Sequence, residues 1–215
     1  MTTDLASAPR PTVALTKAQL ARLERGLPVR LAVTEEAFLA YWPTTRFRAE
    51  YFNNELTIMG LAAFIHEVIV MNIGQLLARF YTPANGFFVA GSNVGLKVPS
   101  HTSYVNPDIT VVQGKPVFVG SSKAILTNPY LLVEVLSAST AEYDLNEKLL
   151  RYQQLTSLRV VLFVDYPEKA VYVATPTDTP KVWTFTTYTE PNEQVRFEAH
   201  TIPFSEFFAN LPDVD

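Results

Sequence analysis

One carboxylate lies within a run of residues that otherwise has the pattern of a buried β-strand. Glu134 stands in the segment 129–137, and its neighbours at alternate positions, Leu132 and Leu136, are aliphatic. An ionised carboxylate among aliphatic side chains costs several kcal/mol unless another group pairs with it. A Glu that faced water from an edge strand would instead have polar neighbours at those positions. We therefore predict that Glu134 takes part in chemistry.

A second carboxylate precedes another apolar run about one hairpin upstream. Asn106, Pro107 and Asp108 lead into the apolar residues 109–112, so we expect Asp108 at the beginning of a strand, with Pro107 just outside the hydrogen-bonded ladder. Two carboxylates on neighbouring strands can share a divalent ion, because Mg²⁺ needs only one or two of them besides waters and phosphate oxygens. The alternative for Asp108 is an ordinary turn, since Pro-Asp is common in turns.

The helix predicted after the second strand carries a lysine on its apolar side. Hydroxyl groups within residues 137–140 could cap this helix, and apolar side chains recur at helical spacing over residues 141–155. With about 100° of rotation per residue, Lys148 falls beside Tyr152 inside the apolar arc. Lys148 is therefore expected to extend past the core or to face an anionic group. Asp144 lies one turn earlier, and an exposed i,i+4 ion pair worth a few tenths of a kcal/mol is the alternative.

Four segments of this kind occur in a characteristic order along the chain. They are Asn-Pro-Asp108, then Leu-Val-Glu134-Val-Leu-Ser-Ala-Ser-Thr140, then Asp144 with Lys148 and Tyr152, then Val-Val-Leu-Phe-Val-Asp165-Tyr-Pro. Together they resemble the Uma-two family, a group of restriction-endonuclease-like proteins that is common in cyanobacteria and belongs to the PD-(D/E)XK nuclease superfamily. The resemblance extends from about residue 34 to about residue 175 and includes the hairpin segment Glu50-Tyr-Phe-Asn-Asn-Glu55-Leu and His66.

This resemblance implies a metal-dependent endonuclease that hydrolyses phosphodiester bonds of DNA. Asp108, Glu134 and the early acid Glu50 would hold Mg²⁺ or Mn²⁺, and Lys148 would orient the attacking water or offset charge on the phosphate. In the superfamily's usual motif a lysine stands two residues after the second acid, where this chain has Leu136. The resemblance implies that Lys148, on the following helix, takes the place of that lysine.

The resemblance also suggests accessory residues and an assembly. The accessory candidates are Glu55, His66, Asp144 and Tyr152. Surface charge is the alternative for Glu50 and Glu55, and a capping or core-edge role is the alternative for His66. We expect a homodimer, since cutting two strands conveniently uses two sites.

Three other functions stay open at this point. The chain could be a catalytically silent module that binds nucleic acid or regulates another protein, because a fold does not determine a function. It could be a nuclease that acts on RNA or on branched or single-stranded DNA. It could also be a structural protein in which Glu134 and Lys148 form a buried ion pair.

Composition indicates a globular protein that does not bind DNA indiscriminately. Of the 215 residues 48% are hydrophobic and none is Cys, which excludes disulfide frameworks and thiolate metal sites. The net charge of −4 is unfavourable for non-specific binding to phosphate, although seven of the seventeen basic residues lie within residues 1–50. The first ten residues lack the pattern of a signal peptide, and no apolar run is long enough to span a membrane, so we expect a cytoplasmic protein.

The elements that must position these residues indicate an α/β fold. We expect a flexible arm over residues 1–14 and a single restriction-endonuclease-like domain over residues 15–215, with a mixed central sheet that bears Asp108 and Glu134. The flanking elements are a hairpin over 46–59, a helix over 61–80 and a helix over 141–155. A buried strand over 159–164 is followed by an antiparallel extension built from residues 170–174, 182–187 and 195–200.

Overall fold

The computed structural model of the protein describes residues 13–99, 102–137 and 141–212. These residues form two compact units, which divide between Leu61 and Ala62. Residues 1–12 of the predicted arm and residues 138–140 of the predicted helix cap lie outside the described ranges, so both remain predictions. The single domain over 15–215 also remains a prediction.

The first unit contains two helices and three strands that pair antiparallel. Its elements are α1 (Lys17–Glu24), β1 (Val29–Ala32), α2 (Glu35–Tyr41), a 3₁₀ turn (Trp42–Thr44), β2 (Ala49–Phe52) and β3 (Glu55–Ile58). The strand order is β1-β3-β2. The predicted hairpin is confirmed: β2 and β3 are joined by Asn53 and Asn54, whose φ angles of 48° and 64° suit asparagine.

The second unit contains most of the strands and the remaining helices. Its first elements are α3 (Phe64–Ala78), a 3₁₀ turn (Pro83–Asn85), β4 (Phe87–Ala90), β5 (Gly95–Val98), β6 (Ser103–Val105), β7 (Ile109–Gln113), β8 (Ile125–Leu126) and β9 (Leu131–Leu136). A helical segment, here called the site helix, follows as α-helical Ala141–Tyr143, π-helical Asp144–Lys148 and α-helical Leu149–Tyr152. The last elements are β10 (Val160–Asp165), β11 (Ala170–Pro176), β12 (Trp183–Tyr188), β13 (Gln194–Phe197), β14 (His200–Pro203) and a short helix (Phe204–Phe207).

A six-stranded mixed sheet forms the centre of the second unit, as predicted. Its order is β12-β11-β10-β9-β7-β4, and only the β9–β10 pair within it is parallel. The site helix connects these two strands, so β9, the site helix and β10 form a βαβ unit. β9 and β10 are buried along their whole length, because both faces of the sheet are covered.

Two hydrophobic clusters cover the two faces of this sheet. On one face α3 packs Ile69, Ile73 and Leu77 against Val133 and Val135 of β9. On the other face the site helix and the turn after it pack Tyr152, Leu155 and Leu158 against Leu132 and Leu136. The side chains of β9 therefore alternate between the clusters, and Glu134 lies on the face of the site helix. The predicted arrangement of a mixed sheet flanked by helices is thus confirmed.

Several predicted boundaries differ from the structure. The helix expected over 61–80 spans Phe64–Ala78, and the helix expected over 141–155 ends at Tyr152 and contains a π-helical turn. The antiparallel extension is correct for β11 and β12. It is wrong for residues 195–200, because β13 pairs with β14 in a separate two-stranded sheet. Within the described ranges, no helix has both the length and the apolar character required to cross a membrane.

Candidate active site

Asp108 lies where β7 meets β9. The pairing of Ile109 with Val133 places Asp108 one residue before the paired segment of β7 and Glu134 one residue beyond it on β9. Asp108 is 1% exposed, and its Oδ2 accepts a hydrogen bond of 2.7 Å from the backbone N–H of Val135. The backbone of β9 therefore holds the Asp108 carboxylate next to the strand that carries Glu134, as the sequence predicted for two acids on neighbouring strands.

Glu134 accepts hydrogen bonds from two side chains of the site helix. Lys148 Nζ is 3.1 Å from Glu134 Oε1, and Tyr152 donates its hydroxyl hydrogen to the same oxygen. All three side chains are buried. The prediction that Lys148 points into the apolar side of its helix and faces an anion is therefore confirmed. Both bonds are charge-assisted when Glu134 is ionised.

Asp144 pairs with Lys148 inside the protein. Its Oδ1 is 3.1 Å from Lys148 Nζ, and the two side chains are 6% and 4% exposed. The alternative of an exposed i,i+4 pair is therefore wrong. The two residues are the first and last of the π-helical turn, and π-helical turns within α-helices occur frequently at functional sites.

His66 approaches Asp108 from α3. Its Nε2 is 3.3 Å from Asp108 Oδ2 and its Nδ1 is 3.4 Å from Glu67 Oε1. His66 is buried, whereas the side chain of Glu67 is about half exposed. The structure thus brings His66 to the carboxylates, although the sequence also allowed a capping role that would have left it apart from them.

Arg151 and Tyr143 are site-helix residues that sequence reasoning did not select. Arg151 is buried, donates to the Tyr143 hydroxyl at 2.7 Å and pairs with Glu147 Oε2 at 3.1 Å. The Tyr143 ring lies 5.9 Å from Lys148 Nζ and 5.4 Å from the Arg151 guanidinium. The sequence feature that could have identified Arg151 is its i,i+3 spacing from Lys148, because residues at this spacing are neighbours on one face of a helix.

The two acids of the first hairpin differ in burial. Glu55 is exposed and lies 3.6 Å from the Arg30 guanidinium, so its interpretation as a surface charge is confirmed. Glu50 lies on β2 and is 3% exposed, so the surface-charge alternative for Glu50 is wrong. A role for Glu50 in metal binding remains a prediction.

The donor set at β7 and β9 fits a divalent cation held by few protein ligands. Glu134 and Asp144 are both buried 3.1 Å from the Lys148 ammonium, and the buried Asp108 directly precedes the strand that pairs with that of Glu134. A buried carboxylate is costly without a compensating charge, and a divalent cation can supply one. In the described part of the chain, no group of three or more His, Asp or Glu side chains is arranged to hold a metal ion. Asp108 and Glu134 suit Mg²⁺, which usually retains waters and binds through one or two carboxylates.

Similar proteins agree with this fold. A crystal structure described as a putative nuclease belonging to DUF820, from Anabaena variabilis, has a TM-score of 0.69 and covers 84% of this chain and 99% of its own. Its sequence identity of 16% means that the likeness concerns the fold alone.

Two proteins of Synechocystis sp. are similar in sequence. The one named uncharacterized protein sll1609 is 29% identical over 118 residues, which are 55% of this chain and 66% of that protein. The one named uncharacterized protein slr1290 is 26% identical over 132 residues, which are 61% of this chain and 68% of that protein. The matched segments thus span about two thirds of each relative's length.

The family suggested by the order of the sequence segments is confirmed. The Uma2 family model, which carries the description putative restriction endonuclease, matches residues 35–202. This match covers more than half of the chain, and the protein therefore belongs to the Uma2 family.

Proposed function

We propose that this protein is a metal-dependent endonuclease that hydrolyses phosphodiester bonds of DNA. The observation that carries the proposal is the buried pair of strand carboxylates, Asp108 and Glu134, with the Lys148 ammonium 3.1 Å from the second. Metal-dependent phosphodiester hydrolysis uses a metal site, a cation near the phosphate and a group that orients water. Asp108 directly precedes β7, Glu134 lies on its partner strand β9, and Lys148 pairs with Glu134, which supports a role for these three side chains in such tasks. The description of the Uma2 family agrees with this reaction class.

In the proposed mechanism Asp108 and Glu134 hold the divalent ion. When bound, Mg²⁺ or Mn²⁺ would lower the pKa of a coordinated water and polarise the scissile phosphate. The Val135 N–H fixes one oxygen of Asp108, and His66 contacts the same oxygen. These contacts orient the carboxylate before substrate arrives, in the way that groups behind a metal ligand usually do.

Lys148 is proposed to act on the phosphate. Its ammonium is a compact charge with three donor hydrogens, which can offset the negative charge that develops on the phosphate oxygens and can orient a water. Tyr152 donates to the same Glu134 oxygen as Lys148. Glu134 therefore keeps a hydrogen bond whenever Lys148 turns towards substrate.

The experiment that tests the proposal measures metal binding and cleavage separately. Calorimetric titration of Mn²⁺ should show binding to the wild type that is lost in Asp108→Asn and Glu134→Gln, while plasmid DNA should be cut by the wild type alone. Glu55→Gln serves as the control, because it removes an exposed carboxylate, and it should leave both readouts unchanged. A wild type that neither binds Mn²⁺ nor cuts DNA in its presence would refute the proposal.

The second candidate is a structural protein in which Lys148 and Glu134 form a buried ion pair, and the contact between these two side chains supports it. Lys148 and Glu134 form a buried pair at 3.1 Å, and removing one partner of such a pair usually costs about 3–5 kcal/mol. If the pair is purely structural, Glu134→Gln lowers the melting temperature and no metal binds. If the protein is instead a silent DNA-binding module, salt-dependent DNA affinity persists in all these variants without cleavage.

We also propose that the enzyme acts as a homodimer. Two copies related by a two-fold axis would present one site to each strand of a duplex. Light scattering of the purified protein at several concentrations tests this point. A strictly monomeric protein that still cuts both strands would contradict it.

A further inference from the structure

The Lys148 ammonium is shared between two carboxylates that belong to different elements. Glu134 Oε1 on β9 and Asp144 Oδ1 on the site helix are each 3.1 Å from Nζ. The three side chains are almost completely buried, at 3%, 6% and 4% exposure respectively. Solvent therefore screens neither ion pair, and the Lys148 ammonium can form a strong ion pair with either carboxylate.

Glu134 and Asp144 differ in their surroundings. Glu134 lies on the strand next to Asp108, in the pair that we propose binds metal. Asp144 belongs to the same helical turn as Lys148 and is the first residue of the π-helical segment that Lys148 ends. The Asp144–Lys148 pair is thus internal to one element, and its geometry does not require the contact between Lys148 and β9.

A cation at Glu134 and the Lys148 ammonium would compete for the same carboxylate. Two positive charges around one buried oxygen repel each other strongly, because the local dielectric constant is low. Lys148 can leave Glu134 at small cost only if another buried anion receives it. Asp144 lies at the required distance, and the ring of Tyr143, 5.9 Å from Nζ, adds a further favourable surface for a cation.

We propose that Asp144 is a positioning residue that receives Lys148 when metal binds at Glu134. This inference rests on the proposed metal site. In the metal-free protein Lys148 pairs with both carboxylates, and in the metal-bound protein it pairs with Asp144 and points towards the phosphate. Asp144 therefore raises metal affinity by acting on Lys148 and not by contributing its own charge to the metal.

A double-mutant cycle on metal affinity tests this inference without any measurement of cleavage. Asp144→Asn should weaken Mn²⁺ binding by about 10-fold or more, as is typical for a residue behind a ligand. In the Lys148→Met background the ammonium is absent, and Asp144→Asn should then change the affinity less than about 3-fold. Glu142→Gln is the control, because it removes an exposed carboxylate from the same site helix, and it should leave the affinity unchanged.

The possible outcomes separate the inference from the proposed function. An equal loss on Asp144→Asn in both backgrounds would mean that Asp144 acts directly on the metal, and it would overturn the inference while leaving the metal site intact. No loss in the wild-type background would also overturn it. A wild type that binds no Mn²⁺ would refute the proposed metal site, and the inference would fail with it. Thermal melting of each metal-free variant shows that the proteins compared are folded.

Discussion

Replacing Lys148 by Met should destabilise the metal-free protein and make its stability depend on metal. The substitution keeps a long apolar side chain but removes the ammonium that is 3.1 Å from both Glu134 and Asp144. Breaking a buried ion pair by removing one partner costs about 3–5 kcal/mol. Tyr152 still donates to Glu134, so we expect the lower end, about 3 kcal/mol. For a chain of this size that corresponds to a fall of roughly 6–12 °C in melting temperature.

Metal should restore much of the lost stability. A ligand present at about 100 times its dissociation constant stabilises the folded state by about 2.7 kcal/mol. Lys148→Met also removes the charge that competes for Glu134, so Mn²⁺ should bind the variant more tightly than it binds the wild type. Mn²⁺ should therefore raise the variant's free energy of unfolding by more than it raises that of the wild type.

Urea denaturation in EDTA and in excess Mn²⁺ measures both effects. Lys115→Met is the matched control, because Lys115 is exposed, and we expect it to change neither curve. If Lys148→Met is as stable as the wild type in EDTA, the buried ion pairs do not stabilise the fold. If it is destabilised but Mn²⁺ gives it no additional protection, the carboxylates are not arranged for a cation, and the structural ion pair is the better explanation.

Three further predictions concern single side chains. Tyr152→Phe removes a hydrogen bond to a buried carboxylate and should lower the free energy of unfolding by about 2 kcal/mol, measured by urea denaturation; an unchanged value would mean that the hydroxyl contributes nothing. Burial raises the pKa of Tyr81, whose hydroxyl has no hydrogen-bond partner among the described residues. Folding therefore favours the neutral phenol, and the stability that this gives the folded state is lost as the pH rises above about 10, where the unfolded chain ionises. Tyr81→Phe should melt at an unchanged or higher temperature at neutral pH. It should also lose less stability than the wild type in alkali. Gly60→Ala should cost up to about 3 kcal/mol, because the added Cβ would lie 2.3 Å from the carbonyl carbon of Gly26, whereas Gly91→Ala meets no atom within 4 Å and should melt like the wild type.

Much of the second unit was predictable because its signals are local. Alternation between polar and apolar residues defines a strand face, and it correctly put Glu134 on the same side of β9 as Leu132 and Leu136, which pack in one cluster. Helical spacing correctly put Lys148 on the buried side of the site helix. The two asparagines of the first hairpin also predicted its turn, because their preference for positive φ is a property of the residue type.

Predictions were less accurate where local signals do not decide the structure. The assignment of residues 195–200 to the central sheet was wrong because a strand pattern does not specify its partner, and β14 provides one directly in sequence. The site helix was predicted as regular because its apolar spacing tolerates one wider turn, and a π-helical turn depends on how the helix packs against the sheet. The burial of Arg151 similarly follows from the contacts of its helix, since Arg is usually exposed.

The amino-acid sequence by itself determined which residues could do the chemistry: a carboxylate in an apolar strand, an acid at the start of another strand and a lysine on the apolar side of a helix. Only the tertiary structure decided how they meet. The contact between His66 and Asp108 and the sharing of Lys148 between Glu134 and Asp144 need α3, the sheet and the site helix to pack together. Periodicity reports which face of an element is buried, whereas the neighbours across that face are chosen by the packing of distant segments.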